Sequence, residues 1–155
     1  PGFKTIIITL AITFSLTGCT QIINVLDFIG VIPPWEQMLE FQFEKHTFEK
    51  PFTFADYCEE KYDSIFLVYP YFNTEHIDYT SLKMSNSLRG ICNANINFDH
   101  FSTILFIKNG KVEAYSEIQC VDADFDSREV EKHYIFPIDQ KFIMDKERKI
   151  HIYNE

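Results

Sequence analysis

The chain has 155 residues, a formal net charge of −9 and a sequence pI near 5.0. A chain of this length can bury a sizeable core in one domain but is too short for two such domains. The acidic balance argues against nucleic acid as a partner, because phosphate binding requires clustered lysine and arginine. It argues in the same way against electrostatic docking to anionic lipid, so any membrane contact is expected to depend on an anchor.

The first twenty residues indicate an export signal. Lys4 precedes an apolar run over residues 5–16, and Leu16-Thr17-Gly18-Cys19 places small residues directly before a cysteine. The run is shorter than the roughly 20 apolar residues that span a bilayer, and a buried helix would need neither the charged start nor this ending. A cleaved signal peptide therefore explains the segment better than either helix.

The sequence Leu16-Thr17-Gly18-Cys19 resembles the lipobox of bacterial lipoproteins. In that family the cysteine becomes the lipidated first residue of the mature protein. The resemblance implies a lipid on Cys19. Because Thr20 follows where an Asp would hold a lipoprotein at the inner membrane, it also implies the outer membrane, facing the periplasm.

We expect three parts along the chain. Residues 1–18 would combine a cloning remnant, Pro1-Gly2, with the signal peptide. Residues 19–38 would form the lipid anchor and an N-terminal helical segment, in which Pro34 opens a short helix running from Trp35 towards Leu39. Residues 39–155 would form a single domain.

Three cysteines remain beyond Cys19: Cys58, Cys92 and Cys120. In an oxidising periplasm two of them could form a disulfide. Cys92 with Cys120 is the preferred pair, because both lie beside the predicted central hairpin. The alternative is three buried, reduced thiols that pack as small apolar groups. The chain has no Cys-x-x-Cys, so neither a zinc site nor a thioredoxin-like redox motif is expected.

Strands and helices alternate in the first part of the domain. Residues 39–44 alternate apolar with polar, which is typical of a strand with one buried face. Thr53 is expected to cap a helix that runs to Lys61. Residues 64–69 are almost continuously apolar and belong in the middle of a sheet. A further helix is predicted from Glu75 towards Met84.

The clearest structural signal is Asn109-Gly110, which joins two apolar-rich runs over residues 101–108 and 111–119. Asn-Gly is the preferred pair for a two-residue type I′ hairpin turn, and the turn predicts the register. Lys108 would face Lys111. The core face would pair Ile107 with Val112, Leu105 with Ala114, Thr103 with Ser116 and Phe101 with Ile118. The other face would pair Phe106 with Glu113, Ile104 with Tyr115 and Ser102 with Glu117.

An acidic loop over residues 122–131, leading into a short helix, follows the hairpin. A strand over residues 134–137 and a closing hairpin over 141–144 and 149–153 complete the chain. This order of elements predicts an α+β fold with a largely antiparallel sheet and short helices packed on it.

Asp122-x-Asp124-x-Asp126 has the spacing of the first three ligands of an EF-hand calcium loop. The turn position holds Ser127 where Gly is required, and the twelfth position holds His133 where a bidentate Glu is required. We therefore predict a solvated acidic loop, and no metal or other cofactor.

Enzymatic motifs are absent from the sequence. The five histidines lack metal-ligand spacing, and no Gly-x-Ser-x-Gly, Ser-x-x-Lys or phosphate-binding glycine loop occurs. Asp99-His100 could form an acid–base pair, and Cys92 could act as a nucleophile, only if a pocket brought partners to them. We therefore predict a protein that is not an enzyme.

The stretch Tyr62-Asp63-Ser64-Ile65-Phe66-Leu67-Val68-Tyr69-Pro70-Tyr71 and the later hairpin around Asn109-Gly110 are similar to small uncharacterised bacterial envelope lipoproteins. In these proteins a strand ending in an aromatic-Pro-Tyr or Gly-Pro-Tyr turn precedes a hairpin with a tip such as Lys-Asp-Gly-Lys. The resemblance covers the middle third of the chain and implies no activity.

Taken together, these features predict a lipid-anchored protein that works by binding another protein. An immunity-type inhibitor of a basic toxin in the periplasm is the first hypothesis, and a structural or assembly lipoprotein of the envelope is the alternative. Carboxylates with an aromatic side chain suit a basic cleft. The expected partner-binding residues are Glu113, Tyr115, Glu117, Asp122, Asp124 and Asp126.

Overall fold

The computed structural model describes residues 34–41, 43, 48–58, 61–72, 81–130 and 134–154. They form a five-stranded sheet in the order β1-β4-β3-β2-β6 and a three-stranded sheet in the order β5-β8-β7. The strands are β1 (Gln37–Met38), β2 (Ser64–Val68), β3 (Phe101–Lys108), β4 (Lys111–Gln119), β5 (Asp124–Phe125), β6 (Ile135–Pro137), β7 (Phe142–Met144) and β8 (Lys149–Ile152).

Both sheets are mixed. The edge strands β1 and β5 run parallel to their neighbours, whereas the remaining pairs are antiparallel. The described residues are therefore rich in β-sheet, which agrees with the sheet-based fold that the order of elements predicted. The expectation of a largely antiparallel sheet did not include the two parallel edge pairs. No local pattern in the sequence predicts them.

Strand β2 lies between β3 and β6, as its apolar run predicted. Four of its five residues are buried, because both faces of the large sheet are covered. A helix α1 (Asn86–Asn97) packs on one face, and the three-stranded sheet packs on the other. The predicted core face of the hairpin, which includes Leu105, is buried. The other face, expected to be a mixed surface that is part covered or part wet, is buried as well at Ile104 and Phe106.

The β3–β4 hairpin and its turn are confirmed, but the register is correct only near the tip. Lys108 faces Lys111 and Ile107 faces Val112, as predicted. A β-bulge then adds Glu113 to β4, so that Phe106 faces Ala114 and Leu105 faces Tyr115. From this point every predicted pair is shifted by one residue. A bulge follows from packing and twist, which alternation alone does not reveal.

The sequence did not predict helix α1. Its sequence is rich in asparagine and includes Gly90, and both residue types are poor helix formers. Tertiary contacts hold its N-terminus instead. Ser85 Oγ accepts the Leu88 N–H at 3.1 Å and so caps the helix. The Ser85 N–H and hydroxyl donate to the buried Glu36 carboxylate, at 2.6 and 2.7 Å.

Aromatic side chains fill the space between the two sheets. Phe54 is fully buried, with its ring centroid 5.3 Å from that of Phe142 and 6.5 Å from that of Phe106. The ring centroid of Phe136 lies 5.5 Å from that of Phe142. Because Phe106 belongs to β3 and Phe142 to β7, Phe54 links the two layers. Aromatic side chains therefore form the centre of the core between the sheets.

Several smaller elements differ from the predictions. Residues 35–39 form no helix; they lead into β1, which pairs with β4. The described residues of 39–44 carry no strand. Thr53 does begin a helix, with the capping box to Asp56, but it is a four-residue 3-10 turn (Phe54–Tyr57). The predicted helix over residues 75–84 lies largely outside the described residues, and residues 82–84 within it are not helical.

Candidate functional site

The six residues predicted to bind a partner do not form one surface. Glu113 lies near the hairpin tip, where Lys111 Nζ is 3.2 Å from its carboxylate. Tyr115 is buried, and burial together with Glu117 raises the pKa of its phenol. Glu117 accepts a hydrogen bond from the Asn95 amide on α1 (2.7 Å). Tyr115 and Glu117 are therefore engaged within the domain, whereas Glu113 is partly exposed at the hairpin tip.

Each of the three alternating aspartates of the acidic loop has a cationic partner. Asp122 lies 3.4 Å from the Arg148 guanidinium, and Asp124 accepts a hydrogen bond from Lys149. Because β5 pairs with β8 in parallel, Asp124 is placed directly beside Lys149. The alternating aspartates therefore diverge towards separate cations, and they do not converge as EF-hand ligands would.

Asp126 is the most constrained of these groups. It is buried, and the Arg128 guanidinium donates to both of its carboxylate oxygens (3.0 and 2.6 Å). The Arg128 backbone N–H donates to the same carboxylate (3.0 Å), so Asp126 caps a short helix α2 (Ser127–Val130). These hydrogen bonds favour the ionised form and lower the pKa of Asp126 to about 2.

His151 lies beside Asp126. The sequence analysis did not select it, because the histidines lack metal-ligand spacing. Its Nδ1 is 3.3 Å from Glu129 Oε1, and its Nε2 is 3.0 Å from Asp145 Oδ2. The hydrogen bond to Asp145, reinforced by Glu129, raises the pKa of His151 and lowers that of Asp145. Strand β8 and helix α2 bring these groups together from positions 22 residues apart, so only the fold reveals the cluster.

Asp126, Glu129 and His151 each offer a ligand atom, and these atoms lie within 4.8 Å of one another. One imidazole and two carboxylates form a donor set that suits a divalent transition metal. Protein groups already use two of these ligands, since Arg128 holds Asp126 and the Ile152 N–H donates to Glu129 (2.7 Å). Metal binding here would therefore displace existing hydrogen bonds.

The three described cysteines are free thiols, and the preferred Cys92–Cys120 disulfide is not formed. Cys92 lies buried on α1, against the face of the large sheet that carries Glu117. Cys120 lies 3.9 Å from Ser102 Oγ, and Ser102 points to the opposite face. The sheet thus separates the two thiols. Burial raises the pKa of Cys92 to about 12 and that of Cys58 to about 11, which disfavours a nucleophilic thiolate.

Asp99 and His100 form an exposed pair at the start of β3, with 3.5 Å between the carboxylate and Nδ1. Both side chains are more than two-thirds exposed, and no third group among the described residues is shown to orient the imidazole. The geometry that would make His100 a catalytic base is therefore not assembled in this part of the chain.

The same end of the hairpin carries exposed apolar groups that the sequence analysis did not single out. The Cys120 N–H donates to the His100 carbonyl (2.9 Å), which places the turn before β3 beside the turn after β4. Phe98 is 59% exposed and Val121 is 76% exposed. With Asp99 and Asp122 they form what we call the far-end surface, a pair of apolar side chains flanked by carboxylates.

Comparisons of this chain with protein-family models, curated proteins and solved structures found no match. The predicted signal peptide and the proposed lipidation at Cys19 lie outside the described residues. Within the residues that are described, no helix is both long enough and apolar enough to cross a membrane.

Proposed function

We propose that this protein is a lipid-anchored component of the bacterial cell envelope that binds another protein, most simply as an immunity-type inhibitor of a toxin. Anchoring through Cys19 at the outer membrane, facing the periplasm, is part of the proposal and is supported by the lipobox-like sequence. The proposed fold description is α+β, with largely antiparallel pairing in the five-stranded sheet.

The far-end surface is the observation that carries the proposal. Protein interfaces combine a few large apolar anchors with a polar rim. Phe98 and Val121 supply exposed apolar side chains, and Asp99 and Asp122 supply the rim. Carboxylates in this position favour a partner with a basic surface and would increase its rate of association.

Burial and hydrogen bonding exclude most of the six residues that were predicted to bind a partner. Tyr115 and Asp126 are buried, and Glu117 is bound to α1. Asp124 is only 28% exposed, and Glu113 lies at the opposite end of the hairpin. Asp122 is the exposed member that adjoins the apolar anchors, with 61% of its side chain accessible. We therefore assign the contact to Asp122 together with Phe98, Asp99 and Val121.

A capture experiment tests this assignment. The full chain would be tagged at its C-terminus and incubated with envelope and secreted proteins of the source bacterium, and captured proteins would be identified by mass spectrometry. Affinity for the captured partner would then be compared between wild type and Phe98→Ser/Val121→Ser. We expect the double variant to bind at least about tenfold more weakly, because each anchor of this kind contributes on the order of 1 kcal/mol or more.

Ile135→Ser is the matched control, since Ile135 is also exposed (52%) but lies on the edge strand β6. It should leave binding unchanged. Equal binding by the double variant and wild type would rule out the far-end surface. A captured toxin whose activity is lost in the complex would support the inhibitor function. Capture of only envelope-assembly proteins would favour the structural alternative instead.

A further inference from the structure

The opposite end of the hairpin is basic, in contrast to the chain as a whole. Lys108 and Lys111 face each other beside the Asn109-Gly110 turn. Lys83 joins them because its carbonyl accepts the Val112 N–H (3.0 Å), which pairs the backbone of residue 83 with that of Lys111. Lys83 is distant from the other two in sequence, and the fold brings it beside them around a cleft of about 410 Å³.

An exposed tryptophan adjoins these lysines. Trp35 is 52% exposed, and Lys111 Nζ lies 4.2 Å from its ring centroid. We call Trp35, Lys83, Lys108 and Lys111 the hairpin-tip face. Tryptophan is enriched at membrane–water interfaces, where its amphipathic ring lies among the headgroups, and lysines beside it attract anionic phosphate.

Three carboxylates reduce the positive charge at this end: Glu36, Glu113 and Asp63. Glu36 is buried and accepts hydrogen bonds from Ser85 at the N-terminus of α1, so it faces away from the cleft. Glu113 lies 3.2 Å from Lys111 Nζ, and Asp63 accepts the Asn109 backbone N–H (2.6 Å). The lysines of the cleft outnumber its one carboxylate, Glu113. The net charge of −9 describes the whole chain, whereas docking depends on the face that meets the membrane.

The position of the N-terminal segment favours a membrane as the partner of this face. Strand β1 runs parallel to β4 from the tip, so residues 34–36 lie at the hairpin-tip end. Residues 20–34 separate the proposed lipid on Cys19 from Trp35 in the sequence, and the first described residue, Pro34, lies at this end. The far-end surface lies at the other end of β4, a full strand length away.

We infer that the hairpin-tip face docks on anionic phospholipid headgroups and thereby directs the far-end surface away from the bilayer. The inference rests on the proposed lipid anchoring, because the anchor keeps this face near the membrane. Each lysine close to an anionic surface is expected to strengthen binding about fivefold, and the effect falls off within a Debye length.

The test uses the full chain with Cys19→Ser, so that no lipid is attached and every variant carries the same N-terminal segment. Binding is measured by co-sedimentation with vesicles of phosphatidylcholine alone and of phosphatidylcholine with one-third phosphatidylglycerol. Trp35 is the only tryptophan in the chain, so its emission reports directly on this face. We expect a blue shift and at least tenfold tighter binding with the anionic vesicles, both abolished by high salt.

The variant Lys83→Gln/Lys108→Gln/Lys111→Gln should lose most of this preference. Its affinity for the anionic vesicles should fall on the order of tenfold to a hundredfold. The matched control is Lys50→Gln/Lys146→Gln/Lys149→Gln, which removes the same charge from positions on or beside the three-stranded sheet. The control should retain the preference and the emission shift.

Three results would overturn the inference. Equal weakening by both triple variants would indicate a response to net charge alone. Vesicle binding without any change in Trp35 emission would show that the N-terminal segment binds lipid while this face does not, leaving the anchoring proposal intact. An emission change with free glycerol phosphate, but not with vesicles, would identify a small-anion site instead of a docking face.

Discussion

At the scale of single residues, the Asp126–Arg128 ion pair keeps its charges across the physiological pH range, whereas the charge of His151 changes with pH. Arg128 keeps its charge at any physiological pH, so the Asp126 ion pair persists down to the lowered pKa of about 2. His151 has a raised pKa, and its contacts with Glu129 and Asp145 strengthen when the imidazole is protonated. The local stability of the three-stranded sheet is therefore expected to depend on pH through His151.

The sign of this dependence follows from the direction of the shift. A histidine whose pKa is raised by folding stabilises the native state fully below its unfolded pKa, here close to 6.5, and the stabilisation disappears as pH rises through the folded value. Asp145→Asn removes the strongest cause of the shift. We expect the pKa of His151 to fall towards its ordinary value in this variant, as measured by NMR titration of the imidazole protons.

The same variant should lower the free energy of unfolding by about 0.5–1 kcal/mol at pH 5.5 and by less at pH 8.5. Asn keeps an acceptor oxygen for the Glu147 and Lys149 N–H groups, which Asp145 binds at 2.9 Å, so the turn itself should persist. Urea unfolding at both pH values checks this result. A deficit that is equal at the two values would show that His151 contributes no pH-dependent stability.

At the scale of elements, the two described glycines have opposite roles. Gly110 adopts a positive φ in the hairpin turn, a conformation that side chains with a Cβ disfavour. Gly90 lies within α1, where glycine is a poor helix former. At neither position would an added Cβ meet another atom within 4 Å. The backbone conformation alone therefore decides the effect of alanine.

We expect Gly110→Ala to destabilise the protein by about 1–2 kcal/mol, because it forces an alanine into the left-handed region. Gly90→Ala should stabilise it by about 0.5–1 kcal/mol through its higher helix propensity. Urea unfolding at pH 7 would measure the free energy of unfolding of both variants. Each variant serves as the control for the other. Effects of the same sign would mean that either the turn or α1 differs from the structure described.

At the scale of the whole molecule, the layers depend on Phe54, which packs against residues from both sheets. Phe54→Ala should lower the free energy of unfolding by about 3–5 kcal/mol, since it leaves a cavity between the layers. Phe98→Ala is the matched control: it removes an exposed ring and should change stability by less than about 0.5 kcal/mol. Thermal and urea unfolding would measure both; a small loss for Phe54→Ala would contradict its linking role.

The whole molecule also has two distinct ends along the β3–β4 hairpin. The tip carries three lysines and Trp35, and the far end carries Phe98, Val121 and exposed aspartates. A protein that is tethered at one end and binds at the other needs this separation. The two proposals are consistent with each other because the same strands hold the two surfaces apart.

Much of the fold could be predicted where local chemistry is decisive. The Asn-Gly turn, the buried strand β2, the Thr53 capping box and the closing hairpin follow from residues adjacent in sequence. Helix α1 could not be predicted, because its asparagine-rich sequence depends on Glu36 and the sheet for stability. The bulge at Glu113 depends on how the strands twist, which alternation does not encode.

The sequence by itself determined the turn, the central strand and the lipobox-like start, because each depends on the identity of neighbouring residues. Only the tertiary structure decided which charges meet. It paired the acidic loop with Arg148 and Lys149, placed Glu129 and Asp145 around His151, and brought Lys83 to Lys108 and Lys111 at the hairpin tip. Electrostatic interactions act through space over a few ångströms, so they become visible only when the chain is folded.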